Sequence, residues 1–461
     1  MPRSLSLRPP LRPEAATARR REWDPLAGGS ALLFWAKIVG NGGYFVAVLI
    51  VARALGPDGR GTVAFITVTA LVVAHVAGLG VGEATTVFAA QQPARRPVLL
   101  SNALVFFSGS GALAGALAFS GMLLGGLSPA EVSPADLAIL SFGILASALV
   151  EAGYAFLLGT ERLRQLALAT ASASWVYALF VTVLWSTGGV TVGRAALAWT
   201  TAESMRALAV VSLSIRGIRL GRPSRRLLTE SIAFGARVWV GSLSRFLNFR
   251  IDQILMGFIA SEAALGLYAV AVNMSEVLLY LPSAAATALL PLVARADAVR
   301  RTEQTLRAFR SVALVTAAGV VAAALLGPAL LPAFFGASFS ESVGPFLWLL
   351  PGTLGFAAST VFSNALVASR SPGLSSLGPI VALIVGFALD LALIPPFQAN
   401  GAAAAASAAF LAGGATAIVA NRRLSPFPWT ALLVPRRGDL DVLRALAGPF
   451  LRFPLPRRSA S

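Results

Sequence analysis

The stretch VAVLIVARALGPDGRGTVAFITVTALVV, residues 46–73, sets the pattern that the rest of the chain repeats. Apolar runs flank a short polar turn at residues 56–61. A helix of about 20 apolar residues crosses a bilayer, so this stretch predicts two membrane-spanning helices joined by a tight turn.

The composition indicates that most of the chain lies in lipid. Of its 461 residues, 56% are hydrophobic and 12% are charged, whereas soluble proteins have about a quarter charged residues. Span-length apolar segments begin near residues 30, 62, 98, 137, 166, 195, 232, 264, 311, 344, 375 and 399. We therefore predict an all-α polytopic membrane protein with about 12 transmembrane helices.

The chain lacks the residues that several classes of chemistry need. The chain has no Cys, and its one histidine is His75, which disfavours thiolate or histidine metal sites and Ser-His-Asp triads. Its single lysine, Lys37, does not stand in a GxxxxGK[ST] phosphate loop, so this polypeptide does not hydrolyse ATP by that motif. We expect no metal and no cofactor beyond a coupled Na⁺ or H⁺.

Positive charge is distributed unevenly along the chain, whose net charge is +17. With the N-terminus inside, 29 of the 37 basic residues fall in inside-facing segments, and the outside loops hold Arg53, Arg60 and Arg194. This asymmetry predicts a protein of the inner (cytoplasmic) membrane with both termini in the cytoplasm. The basic loops are expected to contact anionic lipid headgroups, and nucleic acid is not an expected partner.

An internal repeat divides the chain into halves. A shift of 205 residues places Gly61 on Gly266 and aligns ALGPDGRG (54–61) with IASEAALG (259–266). Six spans per half make the repeats parallel, related by a pseudo-two-fold axis along the membrane normal. The predicted parts are a cytoplasmic Arg-rich arm (1–29), a six-helix lobe (30–216), a linker (217–231), a second six-helix lobe (232–424) and a tail (425–461) with an interfacial amphipathic helix.

Four stretches carry a resemblance to a known family. They are ARALGPDGRG (52–61) with GLGVG (78–82), NFRIDQILMG (248–257), GLYAVA (266–271) leading to ALLP (288–291), and LIPPF (393–397) followed by GAA (401–403). In this order the chain resembles the oligosaccharide flippases, or polysaccharide export proteins, of the multidrug/oligosaccharidyl-lipid/polysaccharide exporter superfamily. The resemblance implies two lobes around a central cavity that opens alternately to either side, and export of polyprenyl-pyrophosphate-linked glycans. Asp390 stands where the resemblance leads us to expect Asn, which leaves the role of that position open.

Polar residues in the first helix of each half are candidates for the cavity. On helix 7 a stripe about 100° wide contains Arg237, Arg245, Asn248 and Asp252, which would be costly to expose to lipid. Cations suit a diphosphate, and amide and phenol groups suit sugar hydroxyls. The six candidate substrate-binding residues are Lys37, Asn41, Tyr44, Arg237, Arg245 and Asn248. Alternatively, Arg237 extends to the inner surface and Lys37 pairs with an acid.

Acidic residues within the predicted spans are candidates for ion coupling. Asp252 and Asp390 would bind Na⁺ or carry H⁺ in the second lobe, or form structural hydrogen bonds at helix ends. Glu83 either neutralises Lys37 or takes protons, and Glu276 lines the cavity or extends to the membrane surface. Glu203 and Arg206, three residues apart on one helix, are expected to form a structural pair.

Three other functions remain open at the level of sequence. A multidrug or toxin exporter of the same superfamily would favour acids and aromatic residues over cations in its cavity. A membrane glycan polymerase or ligase would need a sizeable outside segment, whereas the longest predicted outside loop, about 125–136, has twelve residues. The third alternative is a non-transporting scaffold, and other glycan-assembly membrane proteins are candidate partners.

Overall fold

The computed structural model describes residues 25–124, 132–280, 282–283, 297–369 and 371–434. Within these ranges the chain is helical and contains no strand. Eight of the described helices are long and apolar enough to cross a membrane. The predicted all-α membrane fold is therefore confirmed, while the number of twelve crossings stays a prediction. Most of the N-terminal arm and the predicted amphipathic helix of the tail lie outside the described residues.

Twelve helices of nine or more residues define the described fold. They are α1 (Pro25–Ala77), α2 (Val81–Gln91), α3 (Arg96–Leu124), α4 (Pro134–Gly159), α5 (Leu163–Ser186), α6 (Val192–Ile215), α7 (Arg225–Leu247), α8 (Ile251–Ile259), α9 (Glu262–Ser275), α10 (Ala298–Phe335), α11 (Val343–Ala368) and α12 (Leu377–Leu424). Shorter helical turns cover Pro93–Arg95, Glu276–Leu279, Ala337–Ser342, Pro372–Ser375 and Thr430–Leu433. These twelve helices are not twelve crossings, because some are folded in two and others are fragments of one span.

The two longest helices each fold back on themselves at one residue. In α1 the break is Gly56, with φ 69° and ψ −173°, and in α12 it is Gln398, with φ 48° and ψ −126°. A helix of 53 residues would be about 80 Å long, far more than the roughly 30 Å of hydrocarbon. The predicted loop at 56–61 is therefore shorter than expected, since the helix resumes at Pro57.

Other predicted spans are interrupted. The span after Gly56 breaks at residues 78–80, where Leu79 and Gly80 have positive φ, and continues as α2. The predicted helix over 232–260 is not continuous, because α7 ends at Leu247 and α8 begins at Ile251. This second break displaces the face on which Asp252 lies relative to Arg245.

The two halves of the chain meet at a close crossing of α1 and α9. A Cβ atom placed on Gly61 would lie 1.9 Å from the carbonyl oxygen of Glu262, and one on Gly266 would lie 1.9 Å from that of Pro57. Only glycine permits this approach of two backbones. Both contacts join positions related by the shift of 205 residues, as a pseudo-two-fold axis through this crossing would require.

Candidate functional site

A cavity of about 560 Å³ lies in the first half of the chain. Its walls come from α1 before Gly56, from α4, α5 and α6, and from residues 280 and 283. Its main polar groups are Lys37, Asn41, Tyr154, Arg206 and Tyr280. Lys37 and Asn41 share this wall because residues four apart lie on the same helix face. We refer to this space as the first-lobe cavity.

The first-lobe cavity has more positive than negative charge. Arg206 Nη2 lies 2.7 Å from Glu203 Oε1, and the buried Glu203 also accepts a 3.4 Å hydrogen bond from Ser147. The Lys37 ammonium lies 5.9 Å from the centroid of the Tyr280 ring, and among the described residues no carboxylate forms an ion pair with Lys37. The predicted alternative, in which an acid neutralises Lys37, is absent from this described part of the chain. One cation is therefore left to attract an anion.

Tyr280 brings the second half of the chain against this cavity. The amide nitrogen of Asn41 donates to the Tyr280 hydroxyl, and Lys37 lies over the same ring. Tyr280 follows the turn Glu276–Leu279, so this contact joins α1 to the segment after α9.

A second cavity, of about 430 Å³, lies in the other half. We refer to it as the second-lobe cavity. Arg245, at the end of α7, is exposed and lines it, and Asn248 lines it while donating a 2.9 Å bond to the Pro379 carbonyl. Its other polar lining residues are Ser359, Thr360, Ser363, Asn364 and Ser375.

The structure thus distributes the six predicted cavity residues over separate places. Lys37 and Asn41 line the first-lobe cavity, and Arg245 and Asn248 line the second-lobe cavity. Tyr44 packs near Tyr177, with ring centroids 6.4 Å apart, in a narrow space between helices. Arg237 is exposed on α7 and lines neither cavity. The reason is that α1 and α7 have different neighbours in the fold.

The four predicted coupling acids have different surroundings. Asp252 is buried, accepts from the Tyr268 hydroxyl, and accepts a 2.7 Å bond from the backbone nitrogen of Gln253. Asp390 is buried near enough to interact electrostatically with Asp252, and its Oδ1 has no hydrogen-bond partner among the described residues. These two carboxyl groups form one cluster in the second half of the chain.

The other two acids are paired with polar or charged groups. Glu276 Oε1 lies 2.6 Å from Arg250 Nη1, and Glu83 accepts from the Ser242 hydroxyl across the two halves. His75 pairs with Glu151, and its ring lies 4.5 Å from that of Phe246. Among the residues that the structure describes, no group of three or more His, Asp or Glu side chains is placed to hold a metal ion.

Several residues of the first-lobe cavity are not evident from the sequence. The i, i+3 spacing assigns Arg206 only to a structural pair, although it also lines the cavity. Tyr154 and Tyr280 carry no local motif, but the shift of 205 residues places Tyr280 on His75, the only histidine of the chain. Applying the repeat to the polar residues in the spans would have included Tyr280 among the candidates.

One protein-family model matches more than half of the chain. The model of a family described as polysaccharide biosynthesis protein matches residues 26–297. No curated protein sequence matches this chain.

Solved structures share the fold at low sequence identity. The lipid II flippase MurJ in an inward closed conformation is 13% identical, with a TM-score of 0.73 over 91% of this chain and 97% of that chain. An inward-facing multidrug resistance MATE family transporter is 15% identical, with a TM-score of 0.64 over 91% of this chain and 98% of that one. A MOP superfamily transporter from Pyrococcus furiosus is 16% identical, with a TM-score of 0.58 over 89% and 96% of the two chains.

Proposed function

The chain belongs to the polysaccharide biosynthesis protein family, and from this premise we propose that it is a flippase for polyprenyl-pyrophosphate-linked oligosaccharides. It is a multi-pass membrane protein with the all-helical fold of the MOP superfamily transporters. In particular, we propose that the substrate is a lipid-linked glycan, that the protein lies in the inner membrane, and that the glycan passes from the cytoplasmic to the outer leaflet.

The observation that carries the proposal is the uncompensated positive charge of the first-lobe cavity. Lys37 and Arg206 line the same cavity, and Glu203 forms an ion pair with Arg206. One positive charge, that of Lys37, is left over. Lys37 is exposed at the cavity wall and has no ion pair among the described residues, so it is available to a substrate that brings negative charge. A pyrophosphate meets this need, and the Asn41 amide beside Lys37 can hydrogen-bond a sugar hydroxyl.

The two contact regions between the halves suggest how the headgroup is passed across. In the predicted orientation, the glycine crossing of α1 and α9 lies toward the outside, and the Asn41–Tyr280 contact lies toward the cytoplasm. We infer that the headgroup enters when the Asn41–Tyr280 contact opens, while the polyprenyl chain stays in lipid. The halves then rock, the inner contact re-forms and the outer crossing separates.

Membrane potential and ion coupling are both available as driving forces. A pyrophosphate carrying two uncompensated negative charges gains about 4–5 kcal/mol per 100 mV when it leaves a negative interior. The Asp252–Asp390 cluster is our candidate for a coupled Na⁺ or H⁺, because Asp390 keeps a buried oxygen without a hydrogen-bond partner among the described residues. Glu83 and Glu276 are secondary candidates, since each is already engaged by another side chain.

The proposal is tested with purified protein in proteoliposomes and a fluorescent polyprenyl-pyrophosphate glycan. Protection from an external quencher reports translocation, with and without an imposed potential. We expect Lys37→Gln to slow translocation about tenfold or more, since a hydrogen bond to a charged group contributes roughly 1.5–3 kcal/mol. Lys37→Arg should retain most of the rate.

Arg226→Gln is the matched control, because Arg226 is exposed on α7 and lines neither cavity. An unchanged rate in folded Lys37→Gln would refute the role of the cationic cavity. Absence of glycan translocation together with cation-driven efflux of a small organic cation would instead identify a drug exporter. Lys37 and Arg206 argue against that second function, since fixed cations repel cationic drugs.

A further inference from the structure

The two cavities are built from equivalent positions in the two halves of the chain. Four residues that line the first-lobe cavity have counterparts 205 residues later that line the second-lobe cavity. The pairs are Gly40 and Arg245, Tyr154 and Ser359, Thr170 and Ser375, and Ser174 and Pro379. The same offset relates Gly61 to Gly266 at the α1–α9 crossing. The second-lobe cavity is therefore the counterpart of the first-lobe cavity and not an incidental gap in packing.

The equivalent cavities differ in the charge that they present. At one equivalent position the first has Gly40 and the second has Arg245. The cations of the first-lobe cavity come instead from Lys37 and Arg206, at other positions. No hydrogen bond or ion pair to the Arg245 side chain is seen within the described ranges. An arginine in a cavity of hydroxyl and amide groups suits a carboxylate, which it can bind through two parallel hydrogen bonds.

One wall of the second-lobe cavity is aromatic. The rings of Phe249, Phe356 and Phe410 form a cluster with centroids 5.5, 5.5 and 5.7 Å apart. The C–H faces of a pyranose ring pack against phenyl rings, because the electron-rich aromatic face attracts their partial positive charge. Aromatic rings opposite hydroxyl and amide side chains form a surface suited to a sugar.

One polar atom of this cavity, the Oγ of Ser363, is buried without a hydrogen-bond partner in the described part of the chain. Buried hydroxyl groups are nearly always hydrogen-bonded, so Ser363 has capacity for a group that enters the cavity. The volume of about 430 Å³ falls within the range of small-molecule sites, roughly 300–1,000 Å³.

We propose that the second-lobe cavity binds an acidic sugar of the transported glycan, with Arg245 holding the sugar carboxylate and the phenyl cluster packing against the ring. This inference rests on the proposed function and deepens it. The first-lobe cavity takes the pyrophosphate, and the second-lobe cavity selects for a carboxylate-bearing sugar. The protein then binds both ends of the substrate's headgroup, the pyrophosphate in the first half of the chain and the acidic sugar in the second.

The test measures binding of free D-glucuronate, D-glucose, inorganic phosphate and pyrophosphate to the full-length protein in detergent by saturation-transfer NMR. We expect glucuronate to bind at least about tenfold more tightly than glucose. Arg245→Gln should weaken glucuronate about tenfold, and Arg245→Lys should recover part of that loss. Ser363→Val provides an independent variant that fills the cavity without removing its cation.

Matched controls separate this inference from the proposed function. Lys37→Gln should leave glucuronate binding unchanged and weaken pyrophosphate, and Arg226→Gln should change neither. The sugar site would be overturned if glucuronate did not bind, or if folded Arg245→Gln and Ser363→Val bound it as well as the unmodified protein does. Either outcome would leave the Lys37 translocation result intact. Phosphate displacing glucuronate at equal concentration would also overturn it, since Arg245 would then be a general anion site such as one for lipid phosphate. Glucuronate binding without glycan translocation would refute the flippase and not the site.

Discussion

Arg250 and Glu276 illustrate how charged side chains are accommodated between these helices. Arg250 Nη1 donates to Glu276 Oε1 at 2.6 Å and to the Phe249 carbonyl at 2.7 Å. The charge of each residue is thereby compensated within the protein, away from lipid. From the sequence alone, Glu276 was a candidate for ion coupling, whereas this contact favours a structural role.

Glu276→Gln is expected to destabilise the protein without changing its ion dependence. The substitution leaves Arg250 largely buried without its countercharge, which costs about 1–3 kcal/mol of the free energy of unfolding. Thermal unfolding in detergent measures that loss, and the swap Arg250→Glu with Glu276→Arg should recover part of it. If transport by Glu276→Gln no longer depended on Na⁺ or H⁺, Glu276 would be a coupling residue after all.

At the scale of helices, the sequence predicted spans better than breaks. Gly56-Pro57 marks a turn that the structure contains, because glycine permits positive φ and proline begins a helix readily. No glycine or proline marks the break between α7 and α8. There Asn248 ends α7 and its side chain bonds to the Pro379 carbonyl on another helix, a tertiary contact invisible to local pattern.

The same limit explains how far the candidate site could be predicted. Helical period groups Lys37 with Asn41, and Arg245 with Asn248, and each pair lines one cavity, although the same period also groups Tyr44 and Arg237 with them. Period does not say which helix a face meets, so the sequence did not indicate that the two pairs line separate cavities. Arg206 was missed for a related reason, since pairing with Glu203 did not exclude lining a cavity.

Gly56→Ala tests whether the turn in α1 depends on glycine. The backbone at Gly56, φ 69° and ψ −173°, lies in a region that other residues essentially never occupy, while a Cβ atom placed there would have no neighbouring atom within 4 Å. We expect a loss of about 1–3 kcal/mol in stability, from backbone strain alone. Gly109→Ala in α3, also without a neighbour within 4 Å, should be neutral or slightly stabilising. Equal melting temperatures for the two variants would contradict a strained turn.

At the scale of the molecule, the contacts between halves lie at two levels. Toward the predicted outside, backbones meet at Gly61 and Gly266. Toward the predicted inside, Asn41 contacts Tyr280 and Glu83 contacts Ser242 through side chains, and the backbones of Gly80 and Gly235 also meet closely. Because the headgroup is proposed to enter from the cytoplasm, these inner contacts are the ones that we expect to open first.

A reversible cross-link across the inner contact should therefore stop transport. The chain has no cysteine, so Asn41→Cys with Tyr280→Cys introduces one defined pair, which a short bis-methanethiosulfonate reagent can bridge. We expect cross-linking to abolish the glycan translocation that the untreated pair retains and reduction to restore that rate, because the link holds α1 against the segment after α9 in every state. The control is Thr86→Cys with Ala155→Cys, a native contact within the first half. That pair should retain its rate when cross-linked, since rocking moves each half as a unit. Full translocation with the inner pair quantitatively cross-linked would mean that the headgroup never passes between Asn41 and Tyr280, and the entry route would have to lie on the Glu83–Ser242 side.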